Sequence, residues 1–114
     1  MNNPIDTNWD GVVWTLEEGL DFIRQLEDHV IKAGFHTSLG GGVLHRGSST
    51  KDLDIFVYPN GKSERPDRAK VFAILELMGI AKLHPCKQYN AKLKKSVFTG
   101  HLPNGKRIDF FFVQ

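Results

Sequence analysis

The sequence predicts an α+β domain in which helices lie against a small mixed β-sheet. Three observations carry that expectation. A capping box and a helical apolar stripe open the first regular element. A short apolar run at Leu53–Tyr58 has the composition of a strand. An Asn-Gly pair, Asn104-Gly105, separates two further strand-like runs and reads as a hairpin turn. The chain has 114 residues, 40% hydrophobic and 25% charged, which suits one globular domain over 1–114.

The elements follow in order. Residues 1–14 read as irregular, with Trp9 and Trp14 expected to pack back onto the domain. Thr15 and Glu18 form a T-x-x-E capping box, in which each side chain satisfies the other's free backbone N–H. Leu16, Leu20, Ile23, Leu26, Val30 and Ile31 fall near helical spacing and predict the buried face. Gly34 is placed to stop the helix in a left-handed conformation. Phe35–Leu39 is a short strand candidate running into Gly40-Gly41-Gly42, and Pro59-Asn60-Gly61 is a turn after the Leu53–Tyr58 strand.

A second long helix is expected from about Pro66 to Met78, since proline suits a first helical position. Val71, Ile74, Leu75 and Met78 would face inward, and Gly79 would end it. Ile80–Leu83 reads as a brief edge strand. The hairpin arms are about 94–102 and 106–113 around Pro103-Asn104-Gly105. Three successive aromatics, Phe110-Phe111-Phe112, imply burial on both sheet faces or a partner surface. Helices interleaved with strands in this order argue for a mixed sheet.

Composition narrows the function classes. No apolar run approaches the roughly 20 residues of a membrane helix, and the N-terminus lacks a signal-peptide layout. The expectation is a soluble cytoplasmic protein without a membrane partner. Cys86 is the single cysteine, so an internal disulfide and a cysteine-rich metal site are both excluded. The net charge of +2 hides an asymmetry: residues 1–50 carry a net −4 and residues 51–114 a net +6. A basic second half suits phosphates or nucleic acid, or is simply a solvated lysine-rich face. Lys92, Lys94 and Lys95, with Tyr89 beside them, are its densest part.

The chemistry-bearing stretch is Gly41–Val57. Asp52 and Asp54 stand two apart at the start of an apolar strand, so both carboxylates leave the same face. Two such groups repel, and a divalent cation is the natural compensation. Hard oxygen ligands suit Mg²⁺, which binds one or two carboxylates plus substrate phosphates. A third carboxylate, Asp109, sits in the apolar run Ile108–Val113, where a lone aspartate is unfavourable unless paired or metal-bound. If that strand lies beside the first, three carboxylates converge. Such a trio can hold two metal ions for in-line phosphoryl displacement. The glycines Gly41 and Gly42 would present backbone N–H groups to phosphate, and the forked guanidinium of Arg46 suits the same ligand. Gly47, Ser48 or Ser49 and Lys51 complete the candidate substrate-binding set. His29, His36, His45, His84 and His101 lack metal-ligand partners at helical or hairpin spacing and read as ordinary histidines.

This pattern resembles the signature of the DNA polymerase beta-type nucleotidyltransferase superfamily: paired glycines, about ten residues, Asp-x-Asp in an apolar strand, and a third Asp in a later strand. Gly42-x-x-x-Arg46-Gly47 is also similar to the G-S-x-x-R-G element of polymerases in that family. Where those carry Ser after the first Gly, this chain has Gly42 or Val43. The resemblance covers about a quarter of the chain, residues 39–57 and 106–113. It implies that Asp52 and Asp54 bind both metals, and that Asp109 binds the catalytic metal and helps activate the acceptor hydroxyl. It also implies that Arg46 grips the triphosphate of an NTP such as ATP. The implied cofactor is a pair of Mg²⁺ ions, with Mn²⁺ able to substitute. The acceptor would be RNA, a protein or a small molecule. Two other classes stay open. One is a non-catalytic nucleotide- or partner-binding module of the same fold, such as one component of a toxin–antitoxin pair. The other is a nucleic-acid-binding domain resting on the basic half. The oligomeric state is not set by the sequence.

Overall fold

The computed structural model describes residues 13–61, 66–86 and 96–113. Trp9, Tyr89, Lys92, Lys94 and Lys95 lie outside the described residues. The fold is α+β. A two-residue strand, β1 (Trp14–Thr15), leads into α1 (Leu16–Val30) and a 3₁₀ turn at Ile31–Ala33. Then come β2 (Phe35–Gly40), the short helix α2 (Gly41–Arg46), β3 (Ser48–Ser49) and β4 (Asp52–Pro59). Beyond them lie α3 (Arg68–Leu77), β5 (Ala81–Pro85), β6 (Ser96–His101) and β7 (Arg107–Phe112).

The capping box forms as expected. Thr15 Oγ1 accepts from the Glu18 N–H at 3.1 Å, and the Thr15 N–H donates to Glu18 Oε1 at 3.0 Å. Gly34 ends the helical segment at φ 96°. The buried face of α1 differs from the expectation. It runs through Gly19, Phe22, Leu26 and Val30, whereas Leu16, Leu20 and Ile31 are exposed at 36–40%. The stripe 19-22-26-30 is the one that meets the sheet. Gly19 sets its closeness, since a Cβ there would lie 2.9 Å from Leu53 Cδ1. A second correction concerns α3. Asp67, not Pro66, starts it: the Asp67 carboxylate accepts from the Ala69 and Lys70 N–H groups, leaving Pro66 one residue outside the cap. The inner face of α3 is as expected, with Val71 and Leu75 fully buried and Ile74 and Met78 partly so.

Five strands form the main sheet in the order β2-β4-β7-β6-β5, and β1 pairs with β3 in a separate two-stranded ribbon. The β4–β7 pairing is parallel and the other main-sheet pairings are antiparallel. The sheet is therefore mixed. Gly105, at φ 88°, turns the β6–β7 hairpin, and the Gly105 N–H donates to the Leu102 carbonyl at 2.8 Å.

Period-two alternation gives the sheet two unlike faces. Leu53, Ile55 and Val57 of β4 and Ile108, Phe110 and Phe112 of β7 join Leu26, Val30, Val71 and Leu75 in one core beneath α1 and α3. The opposite face carries Asp52, Asp54 and Phe56 beside Arg107, Asp109 and Phe111. All three successive aromatics are buried: Phe110 and Phe112 in the helix layer, Phe111 against Phe56 at a ring separation of 5.0 Å. Among the described residues no helix is long and apolar enough to cross a membrane.

Candidate metal centre

The parallel register of β4 and β7 places Asp52 opposite Arg107 and Asp54 opposite Asp109. Three carboxylates from two neighbouring strands thus share one face. Asp52, Asp54 and Asp109 each offer an oxygen lying within 4.8 Å of the other two. That spacing lets one cation touch all three.

Each carboxylate is held differently. Asp52 is fixed through the backbone: the Ser49 hydroxyl accepts from the Lys51 and Asp52 N–H groups at 3.1 and 3.2 Å, closing the bend that starts β4. Asp109 is fully buried, and each of its oxygens has a donor. Its Oδ1 accepts from Thr99 Oγ1 at 2.7 Å and from Arg107 Nε at 3.1 Å, and its Oδ2 accepts from Arg107 Nη2 at 3.3 Å. Arg107 is itself anchored, because the Trp14 indole N–H donates to its carbonyl at 2.9 Å. Asp54 is the unsatisfied member. Its Oδ1 is buried and makes no hydrogen bond among the described residues. A buried carboxylate oxygen without a donor is unfavourable, and a cation ligand resolves it.

The electrostatics agree. Burial, followed by the charges of Asp52 and Asp109, pushes the Asp54 carboxyl up to about 7. Burial, followed by the hydrogen bond and charge of Asp109, raises Asp52 as well. Lys51 and Arg107 act in the opposite direction on Asp52 without cancelling the effect. Burial disfavours the Arg107 charge, but its contact with Asp109 prevails and holds the guanidinium above its ordinary pKa. Carboxylates that resist ionisation beside one another gain most from a divalent ion. The donor set is all oxygen, which fits a hard cation such as Mg²⁺, Ca²⁺ or Mn²⁺.

The glycine segment borders this site. Gly41, at φ 64°, follows β2 directly, and a Cβ there would overlap the Asp54 carboxylate. Gly40 lies opposite Asp54 across the β2–β4 ladder. The closeness of backbone to carboxylate is what requires glycine at 41. Arg46 lies at the far end of α2, exposed, with its guanidinium folded back over Gly42; a Cβ at 42 would be 2.5 Å from Nη2. Gly47 closes α2 at φ 81°, and Ser48 sits half-buried in the β1–β3 ribbon. Lys51 is exposed next to Asp52. The structure thus gathers Asp52, Asp54, Asp109 and Gly41 at one point, with Lys51 beside them.

Thr99 and Arg107 belong to the site although the sequence reading did not single them out. Both were in reach of it: Arg107 stands two residues before Asp109 on the same strand face, and Thr99 is its cross-strand partner in the hairpin.

Searches with protein-family models return no match, and neither does a search of curated proteins.

Proposed function

We propose that this chain is a metal-dependent nucleotidyltransferase of the DNA polymerase beta-like type, moving a nucleoside monophosphate from an NTP to a hydroxyl acceptor and releasing pyrophosphate. The observation that carries the proposal is the meeting of Asp52, Asp54 and Asp109 within 4.8 Å on one sheet face. In this reading Asp52 and Asp54 hold the Mg²⁺ ions, and Asp109 holds the one nearer the acceptor hydroxyl. Bound Mg²⁺ would neutralise triphosphate charge and lower the pKa of that hydroxyl. Gly41 and Gly42 let the backbone approach the phosphates, and Arg46 and Lys51 supply positive charge beside them. RNA, a protein side chain or a small molecule would be the acceptor.

A second reading is favoured by one observation. Asp109 already has an Arg107 fork and a Thr99 hydroxyl on its oxygens. A module that binds a nucleotide or a partner without turnover needs no more than the Asp52–Asp54 pair.

Thermal unfolding with MgCl₂ and each NTP tests both readings. Ligand at about 100 times its Kd adds roughly 2.7 kcal/mol of stability. The full chain should gain stability with NTP and Mg²⁺ together, and Asp54→Asn should not. Equal responses of the two proteins, or none in the wild type, would remove the carboxylates from the site. Transfer of an α-phosphate label to RNA or protein then separates the enzyme from the binding module.

A further inference from the structure

The three carboxylates are not equivalent in the way they wait for a cation. Asp54 has a buried oxygen with no donor. Asp109 has a donor on each oxygen: two guanidinium nitrogens and one hydroxyl reach them, at 2.7 to 3.3 Å. A guanidinium gripping a carboxylate by both oxygens is among the stronger ion-pair geometries, and full burial of Asp109 protects it from water and salt. The Arg107 side chain is 39% exposed. One end of the pair is therefore buried while the other reaches solvent.

We infer that Arg107 is a resident counter-ion of this centre. It holds Asp109 in reserve, so that one divalent cation binds on Asp52 and Asp54 and a second enters only when Arg107 is drawn off Asp109. This rests on the reading of the three aspartates as a metal centre. Arg107 acts through Asp109 and is a positioning residue. What draws it off is an anion: a guanidinium pairs readily with a triphosphate's clustered charge, and Arg107 is partly exposed on the sheet face that carries the aspartates. Substrate binding and completion of the metal set then become one event. The same exchange suppresses premature loading, because two divalent ions and a guanidinium would otherwise crowd one face.

The readout is the number of Mn²⁺ ions bound per chain, counted from the electron paramagnetic resonance signal of free Mn²⁺ during titration at pH 8 without nucleotide. Wild-type protein should bind one ion, with any second at least tenfold weaker. Arg107→Gln should bind two with affinities within about threefold of each other. Removing the counter-ion alone exposes a buried charge, so Arg107→Gln/Asp109→Asn, which removes both charges together, is the companion variant. It should bind one ion within about threefold of the wild-type affinity, since Asp109 takes no part in holding the first.

Two ions of similar affinity in wild type would overturn the inference, as would a tenfold loss of the first ion in the double variant. Both results leave the metal centre standing. If wild type binds no Mn²⁺, or if Asp54→Asn binds it unchanged, the metal centre itself fails and the inference fails with it.

Discussion

Replacing Asp54 by asparagine should make the metal-free protein more stable above neutral pH. The folded state raises this carboxyl from an ordinary 3.8 to about 7 through burial and the neighbouring charges of Asp52 and Asp109. The fold therefore binds that proton more tightly than the unfolded chain does. The resulting stabilisation is complete below about pH 4 and is lost as pH rises through about 7. At pH 8 the ionised Asp54 is a liability that asparagine, of the same size and uncharged, removes. At about 1.4 kcal/mol per pH unit the full displacement corresponds to roughly 4 kcal/mol. The side chain is only partly buried, so solvent screening reduces this to about 1–2 kcal/mol. For a domain of this size that is a rise in Tm of roughly 4–8 °C. The assay is thermal unfolding followed by circular dichroism in EDTA at pH 8 and at pH 5. The gain should be largest at pH 8, less than half of that at pH 5, and reversed at pH 8 once saturating Mg²⁺ stabilises the wild type. An Asp54→Asn protein no more stable than wild type at pH 8, or a gain equal at both pH values, would refute the reasoning.

Gly41→Ala should lose divalent-ion binding and more than 1 kcal/mol of stability, because its left-handed backbone and the Asp54 carboxylate both reject a Cβ. Gly61→Ala, also left-handed at φ 77° but with open space around it, should show the backbone penalty alone and keep its Mn²⁺. Thr99→Val keeps the shape of the side chain but removes the hydroxyl donor to buried Asp109, and should lower stability by about 1.5–3 kcal/mol in urea unfolding. Thr15→Ala removes the oxygen that accepts the Glu18 N–H and should lower stability by about 1 kcal/mol without altering metal binding.

Local rules made much of this legible. Period-two geometry alone placed Asp52 and Asp54 on one face, and Asn104-Gly105 alone set the hairpin that carries Asp109. The Thr15–Glu18 box located the start of α1 to the residue. What escaped was decided between elements. Leu16 and Leu20 lie near the helical stripe, yet Gly19 is where α1 touches Leu53, so the buried face is rotated toward Phe22. The six residues of α2 are too few to show a period, and two of them are glycines that argue against a helix. Arg107 looks like a surface arginine until the depth of Asp109 is known. Whether the β4 and β7 strands would be neighbours was a conditional in the sequence and became a fact only through the sheet order.

The parallel pairing of β4 with β7 has a consequence for how the protein comes into being. Antiparallel neighbours can zip from a tight turn, but parallel ones need a long crossover. Asp54 and Asp109 sit about 55 residues apart in the chain, with α3, β5 and β6 between them. Closing so long a span is slow compared with forming helices or the β6–β7 hairpin. A nascent chain emerging from the ribosome therefore cannot bring all three carboxylates together until β7 has left the exit tunnel and docked. The complete trio belongs to the finished product and cannot template the early steps of its assembly.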